Sequence, residues 1–234
     1  MTLHLDDVRL TVGDGDDTFH AVDEVTLTVA PGEVVALLGP SGSGKSSLLA
    51  LAGGLVTPTA GRVRIAEVDL TAGAARERDT VRRERIGMVF QSVNLFGSLT
   101  ALEQLLLVSH IRGVRPAADR DRALELLAEV GMADRADRRP HELSGGERQR
   151  IGIARALFGE PTVLLADEPT AALDTERTHE VAHLLVREAH QHRAATLIAT
   201  HDPEVVGYAD RVVEIRDGRL VDDRVPPAPT RSAH

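Results

Sequence analysis

Val34-Val35-Ala36-Leu37-Leu38-Gly39-Pro40-Ser41-Gly42-Ser43-Gly44-Lys45-Ser46-Ser47-Leu48-Leu49-Ala50 is the stretch from which the fold follows. Its first five residues form a continuous apolar run, the pattern of a short parallel strand buried on both faces. The octet Gly39 to Ser46 fits G-x-x-x-x-G-K-[ST], the phosphate-binding P-loop or Walker A motif. Ser46-Ser47-Leu48-Leu49-Ala50-Leu51-Ala52 then reads as the opening of a helix. Strand, glycine loop and helix N-terminus aim backbone N–H groups and a positive dipole end at one point. The residues Gly39, Pro40, Ser41, Gly42, Ser43, Gly44, Lys45, Ser46 and Ser47 are therefore the candidate polyphosphate cradle. Lys45 is the only lysine in the chain, and every other fixed cation is arginine. A compact ammonium fits between two phosphates where a planar fork does not.

Working outward, 234 residues suit one large α/β domain carrying a helical insertion. The net charge of −9 and the lack of a basic stripe speak against nucleic acid as a partner. With no cysteine there is neither disulfide nor thiolate chemistry. Apolar runs such as Leu105-Leu106-Leu107-Val108 fall far short of the ~20 residues of a spanning helix. Met1 to Asp7 is acidic and polar, unlike a signal peptide. A cytoplasmic chain is expected, reaching a membrane only through a partner.

Residues 1 to about 33 alternate like edge strands around a turn at Gly13-Asp14-Gly15-Asp16-Asp17, and Val63-Arg64-Ile65 adds another strand. Residues 92 to about 143 read as helical, with stripes at Leu102, Leu105, Leu106 and Ser109 and at Ala123, Leu124, Leu127 and Val130. From Val163 onward strands and helices alternate as in a parallel sheet. Residues 1–222 are expected to form one domain, with a helical subdomain at about 92–150 and a disordered proline-rich tail at 223–234.

Val163-Leu164-Leu165-Ala166-Asp167-Glu168 is an apolar strand ending in two carboxylates. A strand end delivers side chains to the carboxyl edge of the sheet, beside the P-loop. There one carboxylate can hold Mg²⁺ while the next orients or deprotonates a water. Leu143-Ser144-Gly145-Gly146-Glu147-Arg148-Gln149 precedes a helix expected over Arg150 to Leu157. Ser144 and Glu147 form a capping box, which explains two of these residues but not the paired glycines. Ser-Gly-Gly at a helix N-terminus is a second anion site in one chain.

That stretch, with Ile153-Ala154-Arg155-Ala156-Leu157 behind it, resembles the signature motif of the ATP-binding-cassette (ABC) ATPases, and nearly the whole chain is similar to their nucleotide-binding domain. The resemblance implies an α/β P-loop core with an antiparallel β subdomain and an inserted helical subdomain. It implies that Lys45, Ser43 and Gly44 hold the β- and γ-phosphates of ATP, and that Ser46, Gln91 and Asp167 serve Mg²⁺. Glu168 is then the catalytic base, His201 the switch histidine, Gln91 the glutamine-loop residue and Asp174 the dimer-loop aspartate. In this family Ser144, Gly145, Gly146 and Glu147 of one subunit close over ATP held by the other. A homodimer driving an integral-membrane permease is therefore implied. The remaining nine histidines, His190 and His192 among them, show no metal spacing and read as solvated.

Two positions depart from the family pattern. Val12 stands where an aromatic residue usually stacks on adenine, leaving Phe19 as the nearby ring, and the dimer loop begins with Ala171. Gln91-Ser92-Val93-Asn94-Leu95-Phe96 and Leu165-Ala166-Asp167-Glu168-Pro169-Thr170 resemble the branch serving macrolide export and lipoprotein release. Amino-acid import is the nearest rival. A soluble ABC ATPase and a P-loop kinase are the others, the latter explaining neither Ser144-Gly145-Gly146 nor His201.

Overall fold

In chain order the elements are β1 (Leu3–Asp14), β2 (Asp17–Val29), β3 (Val34–Leu38), α1 (Lys45–Ala52), β4 (Ala60–Ile65), β5 (Val68–Asp69), α2 (Ala75–Arg85), β6 (Ile86–Val89), α3 (Ala101–Ile111), α4 (Arg120–Glu129), α5 (Gly145–Phe158), β7 (Val163–Asp167), α6 (Thr175–Gln191), β8 (Ala195–Ala199), α7 (Pro203–Tyr208), β9 (Arg211–Arg216) and β10 (Arg219–Arg224). They come from a computed structural model that describes residues 2–14, 17–171 and 173–226. Gly15, Asp16 and Ala172 of the sequence-predicted turn and dimer loop, and residues 227–234 of the expected tail, lie outside the described residues.

The strand β3 sits inside a six-stranded sheet of order β10-β9-β3-β8-β7-β6. It pairs in parallel with β8 and β9, and β7 pairs in parallel with β6 and β8. Because side chains alternate across a strand, its apolar run divides between two cores. Val34 and Ala36 join Leu164, Ala166 and Ile198 under the helices α3 to α6. Val35 and Leu37 join Leu165 and Leu197 on the opposite face, against Leu48 and Leu51 of α1. That second core continues into Leu3, Leu5, Val25 and Leu27 of the antiparallel sheet β2-β1-β4-β5. The α/β class expected from the P-loop, with an antiparallel β region and a helical insertion, is the fold found.

Several boundaries differ from the sequence reading. Residues 92–100 are not helical; α3 begins at Ala101, capped by the Thr100 hydroxyl and the Glu103 side chain. Buried Gln104 bonds the preceding turn instead, accepting from Phe96 N at 3.2 Å and donating to Phe96 O at 2.7 Å and Leu99 O at 3.3 Å. The signature helix starts at Gly145, five residues before Arg150, because the Ser144–Glu147 box caps it there. Glycine's low helix propensity is overridden by that cap and by burial of Ile151, Ile153, Ala154 and Leu157. β10 carries the chain to Arg224, two residues past Asp222, since it pairs with β9 through Arg224↔Val212. The helix α2 and strand β6 were not foreseen at all. α2 is almost wholly polar with only Val81 buried, so it carries no apolar stripe to read.

Candidate active site

Gly44 is the N-cap of α1 at φ 105°, a left-handed conformation that favours glycine, and it turns the chain from loop to helix. A Cβ there would stand 2.3 Å from the Ala21 carbonyl, and one on Gly39 would stand 2.3 Å from the Ile215 carbonyl. Both glycines are therefore fixed by backbone contact with neighbouring strands. Lys45 folds over the loop and donates to Gly39 O at 2.7 Å and Pro40 O at 3.2 Å. Its Nζ lies 3.9 Å from Glu168 Oε1.

The parallel register explains how residues so distant in sequence meet. Asp167 ends β7 opposite Ala199 of β8, and Glu168 follows with its N–H donating to Ala199 O at 2.9 Å. Glu168 has φ 45°, sparsely populated for a residue with a Cβ and held here by the sheet on one side and the following turn on the other. Thr200 N donates to Leu37 O at 3.1 Å, tying the end of β8 to the strand before the P-loop. His201 comes next, and its Nδ1 lies 2.9 Å from Glu168 Oε2 while its ring stays largely exposed. Lysine, glutamate and histidine thus form one chain of contacts at the carboxyl edge of the sheet.

A cavity of about 700 Å³ opens over this edge. Ser41, Gly42, Gly44, Lys45, Ser46, Ser47 and Glu168 line its floor, and Val12 and Phe19 its rim. Val12 and Phe19 are cross-strand partners in the β1–β2 hairpin, 38% and 53% exposed. Phe19 is therefore not core, and its ring is available at the mouth of the cavity.

His20, Ala21, Asp217 and Gly218 also line the cavity and were missed by sequence reasoning. No side-chain pattern marks them; their presence follows from the β9–β10 turn, where Gly218 N donates to Ser43 O at 3.0 Å. Behind that wall Asp23 accepts from Arg9 Nε at 2.8 Å and from Arg219 Nε at 2.9 Å. Arg219 and then Arg9 hold its carboxyl below the usual carboxylate range. This network fixes the hairpin bearing Val12 and Phe19 to the core sheet.

Gln91 is exposed, two residues past Val89, which pairs with Ala166 in the adjacent strand β7. It stands at the same sheet edge but does not line the cavity. The loop after it is held by Arg155, which donates to Val93 O at 2.7 Å and Asn94 O at 3.1 Å. Beside the loop a groove of about 400 Å³ between α2, β6 and α3 exposes Phe90, Phe96 and Ile111.

Ser144, Gly145, Gly146, Glu147 and Asp174 are not brought to the cavity. Ser144 accepts from Glu147 N, and Ser144 N donates to Glu147 Oε2 at 2.8 Å, which draws the Glu147 carboxyl below its ordinary range. Asp174 caps α6 in the same manner through Arg177 N at 3.0 Å. The two helix starts adjoin: a Cβ on Gly146 would meet Arg177 Cδ at 3.3 Å and one on Gly145 would meet Leu173 Cδ2 at 3.6 Å. Neither contact demands glycine inside the chain.

The profile of the ABC transporter family matches residues 22–171. A lipoprotein-releasing system ATP-binding protein LolD of Paramagnetospirillum magneticum is 43% identical over 94% of this chain and 97% of its own length. A macrolide export ATP-binding/permease protein MacB of Rhodopseudomonas palustris is 43% identical over 96% of this chain, which spans only 34% of that longer protein. Among solved structures, a dimeric post-hydrolysis state of the ATP-binding cassette MJ0796 bound to ADP and Pi superposes with a TM-score of 0.85. It is 35% identical, with 95% of this chain and 98% of that one covered.

Proposed function

The chain belongs to the ABC transporter family as an ATP-binding, ATP-hydrolysing cassette, and on that premise we propose that two copies close around two Mg·ATP and drive a separate integral-membrane permease. The observation that carries this reading is the contact chain Lys45–Glu168–His201 beneath a cavity whose rim bears Phe19. Lys45, the amides of Gly42 to Ser47 and the α1 dipole hold the phosphates. Glu168 takes the proton of the attacking water, and His201, 2.9 Å from Glu168 Oε2, serves as the switch histidine beside the γ-phosphate. The donor set offered by Ser46, Gln91 and Asp167 is a hydroxyl, an amide and one carboxylate. That suits Mg²⁺, which binds through few carboxylates plus phosphate oxygens and there neutralises phosphate charge.

The signature helix supports a shared site. Gly145 and Gly146, inside the Ser144–Glu147 capping box, present their N–H groups at a second helix N-terminus, away from the cavity of their own chain. A second copy of this chain related by a two-fold axis supplies what each cavity lacks. The dimeric cassettes among the structural relatives support this assembly. No described helix is long and apolar enough to cross a membrane. The exposed apolar groove at Phe90, Phe96 and Ile111, beside the Gln91 loop, supports docking of the permease, which seats the chain peripherally on the cytoplasmic face. The names of the relatives support export or lipoprotein release over amino-acid import.

Glu168→Gln tests the assignment. The amide cannot accept a proton, so turnover should fall by about 10²- to 10⁴-fold with ATP binding retained. Light scattering should then find a dimer with ATP and a monomer without. Hydrolysis at the wild-type rate refutes the role given to Glu168.

A further inference from the structure

His192 corrects one expectation drawn from the sequence: rather than solvated, its side chain is 15% exposed, wedged between two carboxylates. It caps the C-terminus of α6, four residues after Glu188, so the two share one face of that helix. Its Nε2 lies 3.3 Å from Oε2 of Glu129, the last residue of α4, and 3.8 Å from Oε2 of Glu188. The three ligand atoms lie within 4.8 Å of one another. Glu188 is 1% exposed. Its Oε1 takes two bonds from Arg187, at 2.9 Å from Nε and 2.5 Å from Nη2. Its Oε2 is buried beside His192 and, among the described residues, finds no hydrogen-bond donor. A buried carboxylate oxygen without a partner is costly, which makes it the sign of a missing ligand.

We propose that Glu129, Glu188 and His192 bind one divalent transition-metal ion, Zn²⁺ foremost, which clamps α4 to α6. Tetrahedral zinc with bonds near 2.1 Å sets its ligand atoms ~3.4 Å apart. One pair stands at 3.3 Å, a second at 3.8 Å, and the two carboxylates lie within 4.8 Å of each other, so the exposed Glu129 side chain must close on the ion. Two carboxylates and an imidazole suit zinc, whereas Mg²⁺ prefers oxygen ligands and retains its waters. Arg187 offsets one carboxylate charge, and its Nη2 also donates to Glu129 O at 3.0 Å, holding the helix ends in place for the ion. The carbonyl end of α6 adds negative potential at the same point. Glu129 is exposed at the rim, so water can take the fourth position.

The consequence is mechanical. α4 belongs to the helical region between β6 and β7, while α6 packs against the core sheet. An ion shared between them restrains the helical region relative to the P-loop, independently of the nucleotide site.

The test uses the full chain without nucleotide, in millimolar Mg²⁺ to saturate sites for hard cations. Zn²⁺ is titrated by calorimetry, Co²⁺ by its visible absorption, and melting is followed with each. The wild type should take up one tight equivalent, show the intense bands of tetrahedral Co²⁺, and melt higher as zinc rises. Glu129→Gln, made at the exposed rim where folding is least at risk, should weaken that equivalent by about 10- to 100-fold and flatten the zinc-dependent melting shift. His192→Ala and Glu188→Gln should do the same where they fold. Zinc uptake that is absent from the wild type, or unchanged in Glu129→Gln, overturns the proposal and leaves His192 as an ion-pair partner of the two carboxylates.

Discussion

Replacing Phe19 by alanine separates a residue that recognises the base from one that merely packs. The ring is 53% exposed, so less than half of its area is buried in the chain. Full burial of a phenylalanine contributes about 1.5–3 kcal/mol, so truncation should cost folding roughly 0.7–1.4 kcal/mol. That is small beside the roughly 5–15 kcal/mol stability of an ordinary domain. A base stacked on an aromatic ring contributes about 1–3 kcal/mol. At 1.4 kcal/mol per tenfold, ATP affinity should fall by about five- to a hundredfold. The measurement is a titration of a fluorescent ATP analogue into wild type and variant, with melting curves to show that both fold. Phe19→Leu is the control, since it keeps much of the apolar area but presents no ring. Stacking tolerates base identity, so GTP should bind the wild type within about tenfold of ATP. Equal affinities in all three proteins would refute the reasoning and leave the base resting on Val12 or in solvent.

The remaining expectations are shorter. Ser144→Arg should leave nucleotide affinity of the single chain unchanged while blocking ATP-driven dimerisation; mixed with a Lys45→Ala chain it should regain some ATPase activity, because one composite site is then intact. Retained activity in Ser144→Arg alone would mean that each site is built within one chain. Gly44→Ala, at φ 105° and with its Cβ 2.3 Å from Ala21 O, should cost more than the roughly 1–2 kcal/mol of conformational strain and lose phosphate binding. Gly42→Ala, at φ 81° but with open space around it, should cost about that strain alone in denaturant titration. Asp23→Asn should lower Tm at pH 7, because the native carboxyl is held below its ordinary range by Arg219 and Arg9. A depressed native pKa stabilises above the unfolded value of about 3.9 and is lost as pH falls through the native one. The Tm gap between variant and wild type should therefore close below about pH 4, and a gap constant down to pH 2 would contradict it.

The nucleotide-binding half of the protein was legible because its determinants are local. A strand buried on both faces, a glycine loop and an apolar helix start each leave a pattern within about ten residues, and Val34 to Ala52 contains all three in succession. The Ser144–Glu147 box marks the true start of α5, whereas propensity alone, with glycines at 145 and 146 weighing against helix, points to a start at Arg150. Long-range features left no such mark. α2 lacks an apolar stripe, and the wall formed by His20, Ala21, Asp217 and Gly218 is set by strand register and by one backbone bond from Gly218 to Ser43. Phe19 could be named from the sequence as a ring near Val12, but only the register Val12↔Phe19 made the two partners at the cavity rim. Likewise the sequence spaced Glu188 and His192 one helical turn apart, while bringing Glu129 against them required α4 and α6 to be packed in three dimensions. Spacing along a chain specifies which side chains share a strand or helix face; which faces meet is decided by how the two cores fill on either side of β3, and that is a property of the folded whole.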